Sequence, residues 1–108
     1  MSRRQPNRKT RGAKLAMVVD LRLYIVGGAP NSVQAIANLG AICEQYLKDG
    51  YRLEVVDILE HPRRAIADGV LVTPSLRKLA PLPSANVVGN LSDKVKVLHV
   101  LGLGRKVQ

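Results

Sequence analysis

Phenylalanine and tryptophan are absent from this chain of 108 residues, which contains three tyrosines and one cysteine. Because 46% of its residues are nevertheless apolar, it can build an aliphatic core, and its length suits one domain rather than two. The single cysteine, Cys43, excludes an intramolecular disulfide and a multi-cysteine metal site. Small secreted domains usually contain more cysteines, so a reducing, cytoplasmic location is expected.

Long hydrophobic runs are missing as well. No apolar stretch approaches the ~20 residues that a membrane-spanning helix needs, so no membrane association is predicted. Residues 15–19 form too short an apolar run for the core of a signal peptide, and Asp20 ends that run.

Acidic residues are missing from positions 1–14, which hold six of the 17 lysines and arginines. We predict that residues 1–19 form a basic flexible arm and that residues 20–104 form the folded domain. Such an arm can bind nucleic acid by releasing counterions, but no aromatic side chains are interleaved to stack on bases. A solubilising extension is therefore the favoured interpretation, and nucleic acid is not a predicted partner.

Few residues are suited to catalysis or to binding a metal or cofactor. His61 and His99 have no neighbouring ligands, so no metal site is predicted. The sequence has neither Gly-x-Gly-x-x-Gly nor Gly-Lys-Ser/Thr, so no cofactor is predicted either. Asp57 and Glu60 are the only closely spaced carboxylates, and we interpret both as solvated. No catalytic residue is predicted.

The chain is organised around residues 20–32, which predict a strand over 20–26, a glycine turn and the start of a helix. Gly27 and Gly28 allow a sharp turn, and Asn31 or Ser32 can cap the helix that follows. We expect this helix to cover residues 32–48. Its spacing predicts a buried stripe of Val33, Ile36, Ala37, Gly40, Cys43 and Leu47, widened by Leu39, Ile42 and Tyr46.

The second half of the chain predicts shorter elements. A strand over 51–59 should pair in parallel with the first, and Pro62 should open a short helix that ends near Ala67. The strand-like run 70–76 contains Pro74, which needs an edge, a bulge or a cis bond, or else ends the strand in the trans form. A short strand and turn follow over 86–91. Ser92 should cap a last helix that buries Val95, Leu98 and Leu101.

A strand, tight turn and helix also open the redox proteins of the thioredoxin class, where the turn holds a Cys-x-x-Cys pair. Here the turn contains no cysteine, and Cys43 lies on the predicted buried face of the helix. A redox function would therefore require an exposed Cys43.

Four blocks follow one another in the chain: LRLYIVGGAPNS at 21–32, VVDILEHP at 55–62, VTPSL at 72–76 and VGNLSD at 88–93. In this order they resemble the KaiB family of bacterial circadian-clock proteins, from residue 21 to about residue 103. The resemblance implies an α/β, thioredoxin-like βαβαββα fold with a mixed four-stranded sheet and a cis Pro74 at the start of the third strand. It also implies an alternative, the family's ground-state fold, in which the second half rearranges and the protein assembles as a tetramer.

The function that the resemblance implies is not enzymatic. KaiB-like proteins are adaptors that bind the ATPase ring KaiC and modulate its cycle. On this chain the candidate partner-binding residues are Arg22, Gly28, Pro30, Asn31, Arg52, Arg63 and Arg64. Each arginine has a simpler interpretation as a solvated surface charge.

The chain departs from the family pattern at positions where basic residues would contact a partner. Ala85 and Asn86 replace an arginine pair, Glu60 and Gly69 replace lysines, and Asn90 replaces an acidic residue. Loss of one charge-assisted contact costs about 1.5–3 kcal/mol. A thioredoxin-like interaction module with a different signalling partner is therefore the alternative.

Overall fold

Seven elements follow one another in the order βαβαββα in the computed structural model, which describes residues 18–48 and 50–103. They are β1 (Val19–Ile25), α1 (Pro30–Tyr46), β2 (Tyr51–Asp57), α2 (Pro62–Ala67), β3 (Ser75–Ala80), β4 (Ala85–Val88) and α3 (Lys94–Val100). The strands form one four-stranded sheet in the order β2-β1-β3-β4. β1 pairs in parallel with β2, whereas the β1–β3 and β3–β4 pairs are antiparallel. This confirms the predicted thioredoxin-like fold. Residues 1–17 of the predicted arm lie outside the described residues.

The two faces of the sheet have different chemistry because side chains alternate along a strand. In β1 the odd-numbered residues from Val19 to Ile25 are buried in one apolar core that also contains residues of α1 and α3. The even-numbered residues Asp20, Arg22 and Tyr24 lie on the opposite face, which α2 partly covers. We call this second side the charged face. It carries ion pairs instead of a second large apolar core.

Helix α1 buries part of the predicted stripe, including Cys43 and Leu47, but exposes the predicted residues of its first turns and Tyr46. Val33, Ile36 and Ala37 are exposed, and the buried residues are Ser32, Ala35, Leu39, Ile42 and Cys43, with Leu47 just after the helix. Apolar residues surround most of this helix, so periodicity could not decide which of them pack on the sheet.

The start of α1 also differs from the prediction. The helix begins at Pro30, its N-cap residue is Ala29, and no side chain caps it. Neither Asn31 nor Ser32 has the predicted capping role. The hydroxyl of Ser32 instead accepts a hydrogen bond of 3.0 Å from the backbone N–H of Val26, which closes the turn back onto β1.

In the second half, α2 spans residues 62–67 as predicted, whereas β2 ends at Asp57 rather than at residue 59, and the third strand and the last helix also differ from their predictions. β3 begins only at Ser75, so residues 70–74 form a loop, and the Thr73–Pro74 peptide bond is cis. α3 is capped by Asp93 rather than Ser92, since the Asp93 carboxylate accepts a hydrogen bond of 3.2 Å from the N–H of Lys96. Val95 of this helix is exposed.

Candidate partner-binding surface

One end of the sheet gathers four connecting segments, which cover residues 26–29, 58–61, 70–74 and 89–93. β1 and β2 are parallel and both end there, whereas β3 begins there and β4 ends there, as the pairing of Ser75 with Tyr24 and Val88 shows. We call this region the turn end.

Asp57 joins two of these segments. Its Oδ1 accepts hydrogen bonds from the backbone N–H groups of Gly27, at 3.2 Å, and Leu59, at 2.9 Å. Gly27 has a φ of +38°, a conformation that residues with a side chain rarely adopt. Our prediction of a simply solvated Asp57 was therefore wrong, because this carboxylate holds the β1–α1 turn against the β2–α2 turn.

Exposed apolar side chains are the main chemical feature of the turn end. Leu59 is 69% exposed, Leu71 is 93% exposed and Val72 is 53% exposed. Val33 and Ile36 are also exposed on the first turns of α1, which starts at this end. Several large apolar side chains exposed at one end of a domain are suited to contact with another protein. Sequence analysis missed Leu71 and Val72 because their apolar run was interpreted as a strand.

Three of the predicted partner-binding residues lie in the turn end or in the first two positions of α1, directly beside it. Gly28, Pro30 and Asn31 are all exposed in the turn and the first positions of α1. Arg63, on α2, is exposed as well. These residues are free to contact another molecule.

The other predicted arginines lie on the charged face, where they are engaged within the protein. The Nε of Arg22 lies 3.0 Å from Oε1 of Glu54, and its Nη1 lies 3.3 Å from Oδ2 of Asp68. Arg64 binds both carboxylate oxygens of Glu54, at 2.6 and 2.9 Å. Arg52, largely exposed, pairs with Asp20 at 3.2 Å. The structure therefore separates Arg22, Arg52 and Arg64 from the turn residues.

A buried tyrosine completes this network. The hydroxyl of Tyr24 donates a hydrogen bond to Asp68, and the guanidinium of Arg77 lies 5.7 Å from the centre of the Tyr24 ring. Arg77 also donates a hydrogen bond of 2.8 Å to the backbone carbonyl of Asp68. Since Asp68 directly follows α2, these contacts attach α2 to the two central strands.

The network shifts the ionisation of its acidic members. Hydrogen bonds from Arg64, and then from Arg22, lower the pKa of Glu54 to about 2. The hydrogen bond from Tyr24, followed by the charges of the arginines, lowers the pKa of Asp68. Burial raises the pKa of Tyr24. The carboxylates are therefore charged and the phenol is neutral at pH 7.

Cys43 is unsuited to thiol chemistry. It is fully buried in the core, and burial raises its pKa to about 11. The redox alternative required an exposed thiol and is therefore not supported. Among the described residues no group of three His, Cys, Asp or Glu side chains is placed to hold a metal ion. No helix in this part of the chain is long and apolar enough to cross a membrane.

Comparison with known proteins decides the family. The model of the KaiB domain matches residues 22–103, which include every strand and helix after the first residues of β1. The chain belongs to the KaiB family. The circadian clock protein KaiB3 of Synechocystis sp. is 47% identical over 83 residues, which cover 77% of this chain and 79% of that protein. The circadian clock oscillator protein KaiB of Cyanothece sp. is 45% identical with the same coverage.

Solved structures agree with the thioredoxin-like fold. The N-terminal domain of SasA from Synechococcus elongatus has a TM-score of 0.69 at 22% identity, over 86% of this chain and 88% of that domain. Chloroplastic thioredoxin z has a TM-score of 0.67 at 10% identity, over 94% and 90%. This KaiB-family chain thus shares its fold with thioredoxins, and the two relatives named above are circadian clock proteins.

Proposed function

We propose that this KaiB-family protein is a non-enzymatic adaptor that binds a KaiC-like ATPase ring through the turn end and modulates its cycle. The observation that carries the proposal is the exposure of Leu59, Leu71 and Val72 at the turn end, where Asp57 joins two turns by hydrogen bonds. An apolar side chain that contributes nothing to the core is available for contact with a partner. Family membership supplies the class of partner.

The predicted residues then divide into two roles. Gly28, Pro30 and Asn31 contact the partner directly because they are exposed beside the apolar side chains. Arg22 and Arg64 act indirectly, since their ion pairs with Glu54 and Asp68 hold α2 and so position the β2–α2 turn.

We also propose that the chain can convert to the second fold of its family, in which the second half rearranges and four copies assemble. The ion pairs that join β1 and β2 to α2 support a dominant thioredoxin-like form, because a rearranged second half would lose them. Arg64→Ala should raise the fraction of tetramer measured by light scattering, whereas Arg63→Ala, on the same helix, should leave it unchanged. Loss of the ion pair without any change in that fraction would contradict this proposal.

The binding proposal is tested with the purified protein and the host's KaiC-like ATPase, with ATP and with ADP, by size-exclusion chromatography. Co-elution that depends on the nucleotide is expected. Leu71→Asp should weaken the complex at least tenfold because it places a charge in the apolar contact. Leu82→Asp is the matched control, because Leu82 is 80% exposed but lies beyond the opposite end of β3. Equal loss of binding in the two variants would argue against the turn end as the interface.

A different signalling partner at the same turn end is the second candidate. Its support is that two uncharged residues, which stand where the family pattern has charged ones, make hydrogen bonds within the protein. The amide oxygen of Asn86 accepts a hydrogen bond from Arg77 at 3.1 Å, and that of Asn90 accepts one from the N–H of Ser92 at 3.0 Å. If no complex forms with the ATPase under either nucleotide, while Leu71→Asp abolishes another interaction, this candidate replaces the first.

A further inference from the structure

Lys78 is a buried lysine for which the described residues provide no partner. It lies in β3 on the core side of the sheet, two residues after the buried Leu76, and it is only 5% exposed. Neither a hydrogen bond nor an ion pair joins its ammonium group to any side chain or carbonyl within residues 18–48 and 50–103. All the arginines of the charged face, by contrast, have acceptors.

A buried charge without a partner is unfavourable, so something must compensate it. The end of α3 supplies part of the compensation. Nζ of Lys78 lies 3.8 Å from the position that a side chain on Gly102 would occupy, just beyond the last turn of α3. A helix C-terminus carries only about half a negative charge, so the ammonium group keeps the capacity to bind an anion.

Lys78 lines a pocket that is large enough for a ligand, and its Nζ lies near Gly102, another residue of the lining. The pocket has a volume of about 620 Å³, within the usual range for small-molecule sites. One wall is the loop of Pro81, Leu82 and Pro83, and the other is the end of α3. The polar lining residues are Lys78, Asn86 and His99, and the other lining side chains are apolar, including Ala85, Val100 and Leu101.

We propose that this pocket binds a small organic carboxylate with an apolar body. The carboxylate would pair with Lys78, and the body would contact the prolines and the aliphatic side chains of α3. A bare phosphate ion fits less well, because it has no apolar body to contact the prolines and aliphatic side chains of the lining. This inference does not depend on the proposed function, since the pocket lies at the opposite end of the sheet from the turn end.

The experiment titrates the full chain with acetate, butyrate, hexanoate and hexanamide at constant ionic strength, and follows the backbone amide signals of residues 76–80 and 98–102 by NMR. Saturable binding of the carboxylates is expected, about fourfold tighter for each added methylene that becomes buried. Hexanamide has the same body without the charge, and it should bind at least tenfold more weakly than hexanoate. Inorganic phosphate should bind more weakly than hexanoate.

Lys78→Met keeps the length of the side chain and removes its charge, so it should fold at least as well as the wild type. It should lose at least tenfold in affinity for hexanoate and lose the ligand-dependent rise in melting temperature. Lys48→Met is the control, because Lys48 is exposed and lies outside the pocket. Hexanoate binding that survives in Lys78→Met, hexanamide binding as tight as that of hexanoate, or no saturable binding at all would each overturn the proposal.

Discussion

Glu54 in β2 and Arg64 in α2 are joined by two hydrogen bonds, of 2.6 and 2.9 Å, between the two oxygens of one carboxylate and the two terminal nitrogens of one guanidinium. The same carboxylate accepts a third bond, of 3.0 Å, from Arg22 in β1. The carboxylate of Glu54 in β2 therefore connects three elements, namely β2, β1 and the short helix α2. Because α2 has only six residues, such contacts matter more to its position than its intrinsic helical stability does.

The pKa of Glu54 predicts how stability depends on pH. Its folded-state pKa of about 2 lies below the ordinary value of 4.5, so the unfolded state binds the proton more readily. Glu54 therefore contributes stability above pH 4.5, and this contribution should disappear as the pH falls from about 4.5 to about 2. Urea denaturation across this range should show the decline.

Glu54→Gln is the variant that isolates this contribution. It should be less stable than the wild type at pH 7 and should lose less stability on acidification. The difference should shrink in high salt, because the pair is half exposed and therefore screened. A pH dependence identical to that of the wild type would show that other carboxylates cause the decline. Glu60→Gln, on the exposed β2–α2 turn, is the matched control.

Tyr24→Phe should destabilise the protein by roughly 1–2 kcal/mol, because it removes the hydroxyl that donates to Asp68 while the buried ring stays in place. Chemical denaturation at pH 7 measures the change. Tyr46→Phe is the control, since Tyr46 is partly exposed and its ring, which Lys94 approaches at 5.4 Å, would remain. Equal stabilities of the two variants would indicate that the Tyr24–Asp68 bond contributes nothing net.

Cys43 should react with a thiol reagent only when the protein unfolds. Its side chain is inaccessible, and a pKa of about 11 leaves almost no thiolate at pH 8. Labelling at pH 8 should therefore be at least a hundredfold slower in buffer than in about 8 M urea, which unfolds a domain of this size. Rapid labelling in buffer would revive the redox alternative.

Asp93→Ala should cost about 1 kcal/mol, because it removes the N-cap of α3, whereas Ser92→Ala should be close to neutral. The two residues are neighbours and both are exposed, so the pair of variants separates capping from general surface effects. Thermal denaturation monitored by circular dichroism measures the difference. A larger loss of stability in Ser92→Ala than in Asp93→Ala would indicate that Ser92 caps the helix, as the sequence predicted.

Local sequence signals predicted the order of elements well. The apolar run before Gly27, the proline at the start of α2 and the apolar spacing of the last helix each depend on neighbours a few residues apart. Such signals placed α2 at residues 62–67. They failed where two neighbours had similar propensities, as with Ser92 and Asp93, because the geometry of the preceding turn decides which side chain reaches the free N–H groups.

The buried face of α1 and the loop over 70–74 show a second limit. Ala35 and Leu39 are buried while Val33 and Ile36 are exposed, although all four fit a helical spacing. The choice depends on how the helix lies on the sheet. Similarly, Leu71 and Val72 have strand-like side chains, but the pairing of β3 begins only at Ser75, opposite Tyr24.

The sequence by itself determined the fold class, the family and the absence of cysteine from the β1–α1 turn, since all three follow from short blocks of neighbouring residues and the order of those blocks. Only the tertiary structure decided that Arg22 and Arg64 share Glu54, that Leu59 and Leu71 are exposed at one end of the sheet, and that Lys78 is buried beside a pocket. Arg22 and Asp68 are 46 positions apart in the chain. Contacts of this kind depend on strand order and helix placement, which no local pattern specifies.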